Sequence, residues 1–245
     1  MKITLLGTRG YIESRKRRHR YFTSALIAFR GRRVMIDCGL GWEKRWDSID
    51  PEAIVITHAH PDHAFALQRA EPPCLVHAVP KTWEGMQDFA VPGPMRRELT
   101  PRKPETIAGI DFEAFPVIHS TRAPAVGYRI TAGRVAVFYV PDVVWIHDRD
   151  EALKDVRVYI GDGATIHRNM VRKDRKSGEL IGHATIAQQL TWCRKEGVPG
   201  MIVTHCGSDI VGGDERRVGA ELRKLAKERG VAVEIAHDGQ EKVLR

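Results

Sequence analysis

"IVITHAHPDH", residues 54–63, sets three histidines and an aspartate within six positions directly behind an apolar run. The preceding "AIVIT" (53–57) reads as a buried strand. His58 and His60 are two apart, so an extended chain points both to the same side. Pro61 then opens "PDHAFALQRA" as a short helix, because proline is tolerated in the first helical turn. Asp62 and His63 fall on the turn into it. Packing gives no reason for such a run. Imidazole suits zinc, iron, nickel and copper, and a carboxylate extends the range to harder ions. Four ligand-grade side chains in one loop can serve two metals if distant strands supply the rest.

Other strands end the same way. His119 closes "FPVIHS", Asp142 closes "VAVFYVPD", Asp162 closes "VRVYIGD" and His205 closes "GMIVTHC". Strand ends reach one rim of a sheet, so distant segments can converge there. The remaining pattern reads as strands at "KITLLG", "SALIAF", "VMIDCG", "CLVHAV" and "VAVEIA", the last of these taken as the final strand. A meander spans 106–140, and 89–105, with four prolines and one glycine, reads as a loop. "KTWEGMQDFA", "TIAQQLTWCRKEG" and "DERRVGAELRKLAKERG" read as helices, the latter two closed by Gly197 and Gly230. A β-rich half followed by a βαβαβ-like half predicts two sheets with helices outside them.

"THAHPDH" resembles the HxHxDH signature of the metallo-β-lactamase superfamily, and the likeness extends from "IDCG" before it to "AHDG" near the end. The resemblance implies an α+β, four-layer αββα sandwich over residues 1–245 as a single domain, with two divalent metal ions at one edge. Zinc is the first expectation, with manganese or iron as alternatives. Carried over by position, His58, His60 and His119 would hold one ion. Asp62, His63 and His205 would hold the other, and Asp142 would bridge them. Aspartate at that bridging place argues against antibiotic hydrolysis. Asp62 could also orient a metal-activated water.

"GDGATI" (161–166) and "GHATIAQQL" (182–190) resemble the tRNase Z and phosphodiesterase branch. There an acidic residue orients a histidine that protonates the leaving oxygen. Asp162 and His183 would take those catalytic roles. The chain departs from tRNase Z where only "TAG" joins two strands, which leaves no room for a tRNA-gripping arm.

Composition sets the outer limits. The 245 residues are 42% hydrophobic and 29% charged, as in a globular chain. No apolar run approaches the roughly 18 residues of a membrane span. The start "MKITLLGTRG" is too weakly apolar for a signal peptide, so the expectation is a cytoplasmic protein without a membrane partner. The four cysteines show no CxxC spacing. Net charge is +8, much of it in "RKRRHR", residues 15–20. A cluster of this kind is either a solvated loop or a phosphate-binding one. As substrate-binding groups, Arg15, Arg17, Arg18 and Arg20, with Arg122 beyond His119, would meet a phosphate-bearing small molecule or a short nucleic acid. The leading expectation is therefore a metal-dependent phosphodiesterase. A hydrolase of carboxylic esters, lactones or thioesters is the alternative, and a non-enzymatic nucleic-acid-binding protein the second. A homo-oligomer is left open.

Overall fold

A computed structural model describes residues 1–245. The first half runs β1 (Lys2–Gly7), β2 (Ser24–Phe29), β3 (Arg32–Ile36), α1 (Trp46–Ile49), β4 (Ala53–Val55), α2 (Pro61–Ala64), α3 (Ala66–Arg69), β5 (Leu75–Ala78), α4 (Pro80–Gly85) and β6 (Arg96–Glu98). Next come β7 (Glu105–Ile107), β8 (Ile110–Ile118), β9 (Ala125–Ala132), β10 (Val135–Val140), β11 (Trp145–Ile146), α5 (Arg149–Leu153) and β12 (Val158–Asp162). The chain ends with β13 (Arg172–Lys173), β14 (Leu180–Ile181), α6 (Ile186–Lys195), β15 (Gly200–Thr204), α7 (Ser208–Val211), α8 (Glu215–Lys227), β16 (Ala232–Ile235) and β17 (Gln240–Val243).

Seven strands form one sheet in the order β17-β1-β2-β3-β4-β5-β6. Eight form the other, β11-β8-β9-β10-β12-β15-β16 with β7 beside β8. Three apolar cores separate four layers. Ile3, Leu5, Ile27 and Val34 of the first sheet meet Tyr128, Ile130, Val137 and Ile160 of the second. Outside the second sheet, Phe138 and Tyr159 pack against Leu190 and Leu222 of α6 and α8. Outside the first, Met35 and Ile54 pack against Trp42, Leu67 and Trp83. This is the αββα sandwich. Alternation follows from it: in β1 only Ile3, Leu5 and Gly7 are buried, whereas all six residues of β10 are buried because both its faces are covered.

Three readings of the pattern need correction. "VAVEIA" is not the last strand, because β17 follows and pairs antiparallel with β1 on the opposite sheet. Its exposed "QEKV" carries too little apolar signal to announce a strand. "PDHAFALQRA" is two single turns, α2 and α3, divided at Phe65, the first of them burying Asp62 and His63. Residues 89–105 hold β6, which pairs parallel with β5.

The return of the C-terminus to β1 brings Asp238 beneath the loop after β1. Its carboxylate accepts from the Thr8 amide, the Thr8 hydroxyl, and the Arg20 and Tyr21 amides, all within 3.0 Å. Both ends of the basic loop are thus held by one side chain. Asp238→Ala leaves those donors unmatched and should lower stability by about 2–3 kcal/mol. Thermal unfolding of the chelated variant should show Tm reduced by about 5–10 °C.

Candidate metal centre

Strand direction explains the convergence. β3 and β4 are parallel, as are β10, β12 and β15, with Val140 opposite Gly161 and Asp162 opposite Thr204. β8 runs the same way as β10, being separated from it by antiparallel β9. All of these strands finish at one rim, where Asp37, His58, His119, Asp142, Asp162 and His205 follow them. Two of these residues, Asp37 (φ 60°) and His205 (φ 49°), leave their strands in the left-handed region that costs most residues energy. Gly39 is needed for a different reason: a Cβ there would lie 2.1 Å from the Asp62 carbonyl oxygen.

The histidines are oriented from outside. Thr57 donates its hydroxyl hydrogen to Asp37 and accepts from His58 Nδ1 at 2.9 Å, so His58 presents a free Nε2. His63 Nδ1 donates to Asp37 at 2.8 Å, and His119 Nδ1 donates to the Gly182 carbonyl at 3.0 Å. The inward nitrogens then face one another. His58 Nε2 lies 3.0 Å from His60 Nδ1, which lies 3.3 Å from His119 Nε2. Three neutral acceptors at that spacing suit a cation between them, since Zn–N bonds are about 2.0–2.1 Å. In the other half, His205 Nε2 is 3.1 Å and His63 Nε2 3.3 Å from Asp62 Oδ2. Asp142 stands between the halves, with Oδ2 2.9 Å from His63 Nε2 and Oδ1 3.6 Å from His119 Nε2. His63 Nε2 and Asp142 Oδ2 are buried and, though 2.9 Å apart, are not aligned to hydrogen-bond each other or any other group. The donor set therefore fits bound divalent metal.

The electrostatics divide along the same line. Burial pushes His58 well below 6.5 and His60 to about 4, so both are neutral donors at pH 7. Burial also acts on His63 and His205, but carboxylates overcome it. Asp62, Asp142 and Asp37 hold His63 well above its ordinary value, and chiefly Asp142 raises His205 to about 10. Burial would raise Asp142, yet His205, His63 and His119 bring it well below the usual carboxylate range.

Asp162 and His183 meet as the sequence suggested, with His183 Nδ1 2.8 Å from Asp162 Oδ2. Asp162 also accepts from the Ala164 and Val143 amides. Gln189, which sequence reading missed, fixes the backbone of Asp162 by accepting from its N–H at 2.9 Å and donating to its carbonyl at 2.8 Å. A cleft of about 400 Å³ joins His60, Asp62, His119, Asp142, His183 and His205. Arg168, also missed, lines it. Its only sequence signal was a position shortly after "GDGATI".

The basic residues disperse. Arg15 and Arg20 line a neighbouring cleft. Arg17 and Arg18 line a separate groove against Asp214 and Glu215, where Arg18 pairs with Glu215 and Lys16 donates to the Gly212 and Gly213 carbonyls. Exposed Arg122 lines none of these three clefts.

Residues 32–206 match the family model described as a beta-lactamase superfamily domain. A ribonuclease Z of Methanopyrus kandleri is 26% identical over 283 residues, covering 96% of this chain and 94% of the relative. A ribonuclease Z of Clostridioides difficile is 37% identical over 70 residues, 26% of this chain and 22% of its own. The chain thus spans about a fifth of that relative, and of a second one from Clostridium acetobutylicum. A diphosphatase from the PhnP family shares the fold, with a TM-score of 0.73, 18% identity, and coverage of 100% of this chain and 98% of that one.

Asp37 holds His63 directly and His58 through Thr57, and touches none of the inward nitrogens. Asp37→Ala should weaken zinc binding about 10–100-fold, the usual cost of losing an outer partner. Competition with a chromophoric chelator measures it.

Proposed function

The chain belongs to the β-lactamase superfamily, and from that premise we propose a dinuclear metal-dependent phosphodiesterase acting on a nucleotide-like or short nucleic-acid phosphodiester. The observation that carries this reading is the His183–Asp162 pair, 2.8 Å apart, with His183 lining the cleft of the His/Asp cluster and Asp162 buried behind it. A hydrolase of lactones, carboxylic esters or thioesters on the same ligands has no obvious need of that pair. The turn between β9 and β10 is only Gly133 and Arg134, so no tRNA-gripping arm is proposed.

In this reading His58, His60 and His119 would hold one ion, Asp62, His63 and His205 would hold the second, and Asp142 would serve both. Zinc suits the nitrogen-rich half, with manganese or iron as alternatives. Two divalent ions, when bound, make water a nucleophile near neutral pH and neutralise phosphoryl charge. Asp62 would orient the attacking water. Arg168, which lines the cleft, is placed to meet a phosphoryl oxygen.

His183 moves the other proton. Its Nδ1–H is committed to Asp162, which fixes the ring and leaves Nε2 as the donating atom. Burial opposes its charged form, but the Asp162 carboxylate outweighs burial and raises His183 above 6.5. The form of His183 that Asp162 favours is the imidazolium, whose Nε2 proton can pass to the departing oxygen.

Two measurements test this. Elemental analysis of protein purified without chelator should approach two metals per chain, and Asp142→Ala should lose them. A reproducible zero, with no uptake on titration, removes the mechanism. His183→Ala should keep both metals but slow hydrolysis about 10²–10⁴-fold for a poor leaving group. The loss should shrink with p-nitrophenolate, which needs little protonation. Turnover of a lactone or thioester but not of bis-p-nitrophenyl phosphate or cyclic nucleotides would favour the ester reading.

A further inference from the structure

A second cleft, of about 990 Å³, opens beside the metal cleft and is more than twice its size. Tyr11 and Ile12 line both, so the two clefts adjoin across these residues. The larger cleft is lined by six cationic residues, Arg9, Arg15, Arg20, Lys44, Arg45 and Arg69, against one carboxylate, Glu13. An excess of that kind in a concave, partly apolar surface concentrates anions. A single phosphodiester at the metal centre would leave this space unused.

Aromatic rings accompany the charges. Tyr21, Phe22 and Trp42 form the wall, and Tyr11, 63% exposed, stands at the junction with the metal cleft. The wall is built rigidly. The Arg45 guanidinium lies 4.0 Å over the Tyr21 ring and donates to its hydroxyl. The Arg9 guanidinium lies 4.0 Å over Phe22 and donates to the Ile12 and Arg20 carbonyls. Tyr21 is held again through its amide by Asp238. Tyr11 approaches Phe22 at 5.8 Å and keeps most of its surface in solvent. Exposed cations beside an exposed aromatic ring match single-stranded nucleic acid, whose phosphates pair with the cations and whose unstacked bases stack on rings. A polyphosphate uses only the cations, and a duplex hides its base faces.

We propose that this cleft is a nucleotide subsite, which takes a base on Tyr11 and the adjoining phosphates on Arg15, Lys44 and Arg69 when a single-stranded oligonucleotide lies with its scissile bond at the metal centre. The proposal rests on the phosphodiesterase reading for the position of the scissile bond. It narrows the substrate class to single strands of several nucleotides. It also divides the basic loop: Arg15 serves the subsite, whereas Arg17 and Arg18 face the separate groove beside Glu215.

Fluorescence anisotropy with a fluorescein-labelled phosphorothioate (dT)8, on metal-loaded protein, reads binding without cleavage. Tyr11→Ala should weaken Kd about ten-fold, within the range for loss of one base–aromatic stack. The triple change Arg15→Ser, Lys44→Ser, Arg69→Ser should reduce the slope of log Kd against log salt by about 2, from about 0.7 per phosphate contact. Arg17→Ser with Arg18→Ser should alter neither. An abasic oligomer with the same phosphates should not distinguish wild type from Tyr11→Ala. The subsite is overturned if Tyr11→Ala binds like wild type, or if tripolyphosphate or duplex competes as well as (dT)8 at equal phosphate. It is also overturned if the Arg17, Arg18 pair matters as much as the triple. Failure of wild-type protein to cleave bis-p-nitrophenyl phosphate would instead remove the phosphodiesterase reading, and the anisotropy result would stand by itself.

Discussion

His63 lies fully buried among the carboxylates of Asp37, Asp62 and Asp142, and the site is organised around that concentration of charge. Buried carboxylates are costly unless paired with cations or hydrogen-bond donors. Here the donors are assigned outward: Thr57 and His63 Nδ1 satisfy Asp37, while the inward atoms of His63 and Asp142 remain unmatched. On the other side, His58, His60 and His119 are driven neutral by burial and turn ring nitrogens towards one another. Anionic oxygens and neutral nitrogens share the requirement of a cation, and a bound ion would be the largest local charge in the site.

Such an arrangement needs a rigid frame. Parallel strands in both sheets end at the same rim, and the core between them fixes their spacing. Local strain at Asp37 and His205 is tolerated because neighbouring strands and hydrogen bonds determine their positions. The Asp162–His183 pair uses the same principle, with Gln189 of α6 holding the strand end that carries the carboxylate.

The C-terminal strand joins the site to its surroundings. β17 pairs with β1 and sets Asp238 beneath the loop that walls both clefts. A segment distant in sequence thereby controls the shape of the basic, aromatic surface beside the His/Asp cluster. That link also divides the positive charges of residues 15–20 between two grooves, although they are adjacent in the chain.

The sequence alone determined the chemistry of the rim. HxHxDH and His119, Asp142, Asp162 and His205 were legible because each is a reactive side chain at the end of an apolar run, whereas His183 was legible only through the likeness of "GHATIAQQL" to the phosphodiesterase branch. Most strands and the two long helices were legible because one-sided or continuous burial leaves a period in the residues. Tertiary structure decided what has no local signal. Strand β17 is polar and is recognised only by its pairing with β1. Asp37 of "IDCG" and Asp238 of "AHDG" lie in family-like stretches, but the groups they bind appear only when distant segments arrive. The basic run could not show which of its arginines face the metal side, because loop direction is set by Asp238 and by Arg18 meeting Glu215 across the fold. Ligand identity is a property of residue type, whereas orientation and partnership depend on contacts between segments far apart in the chain.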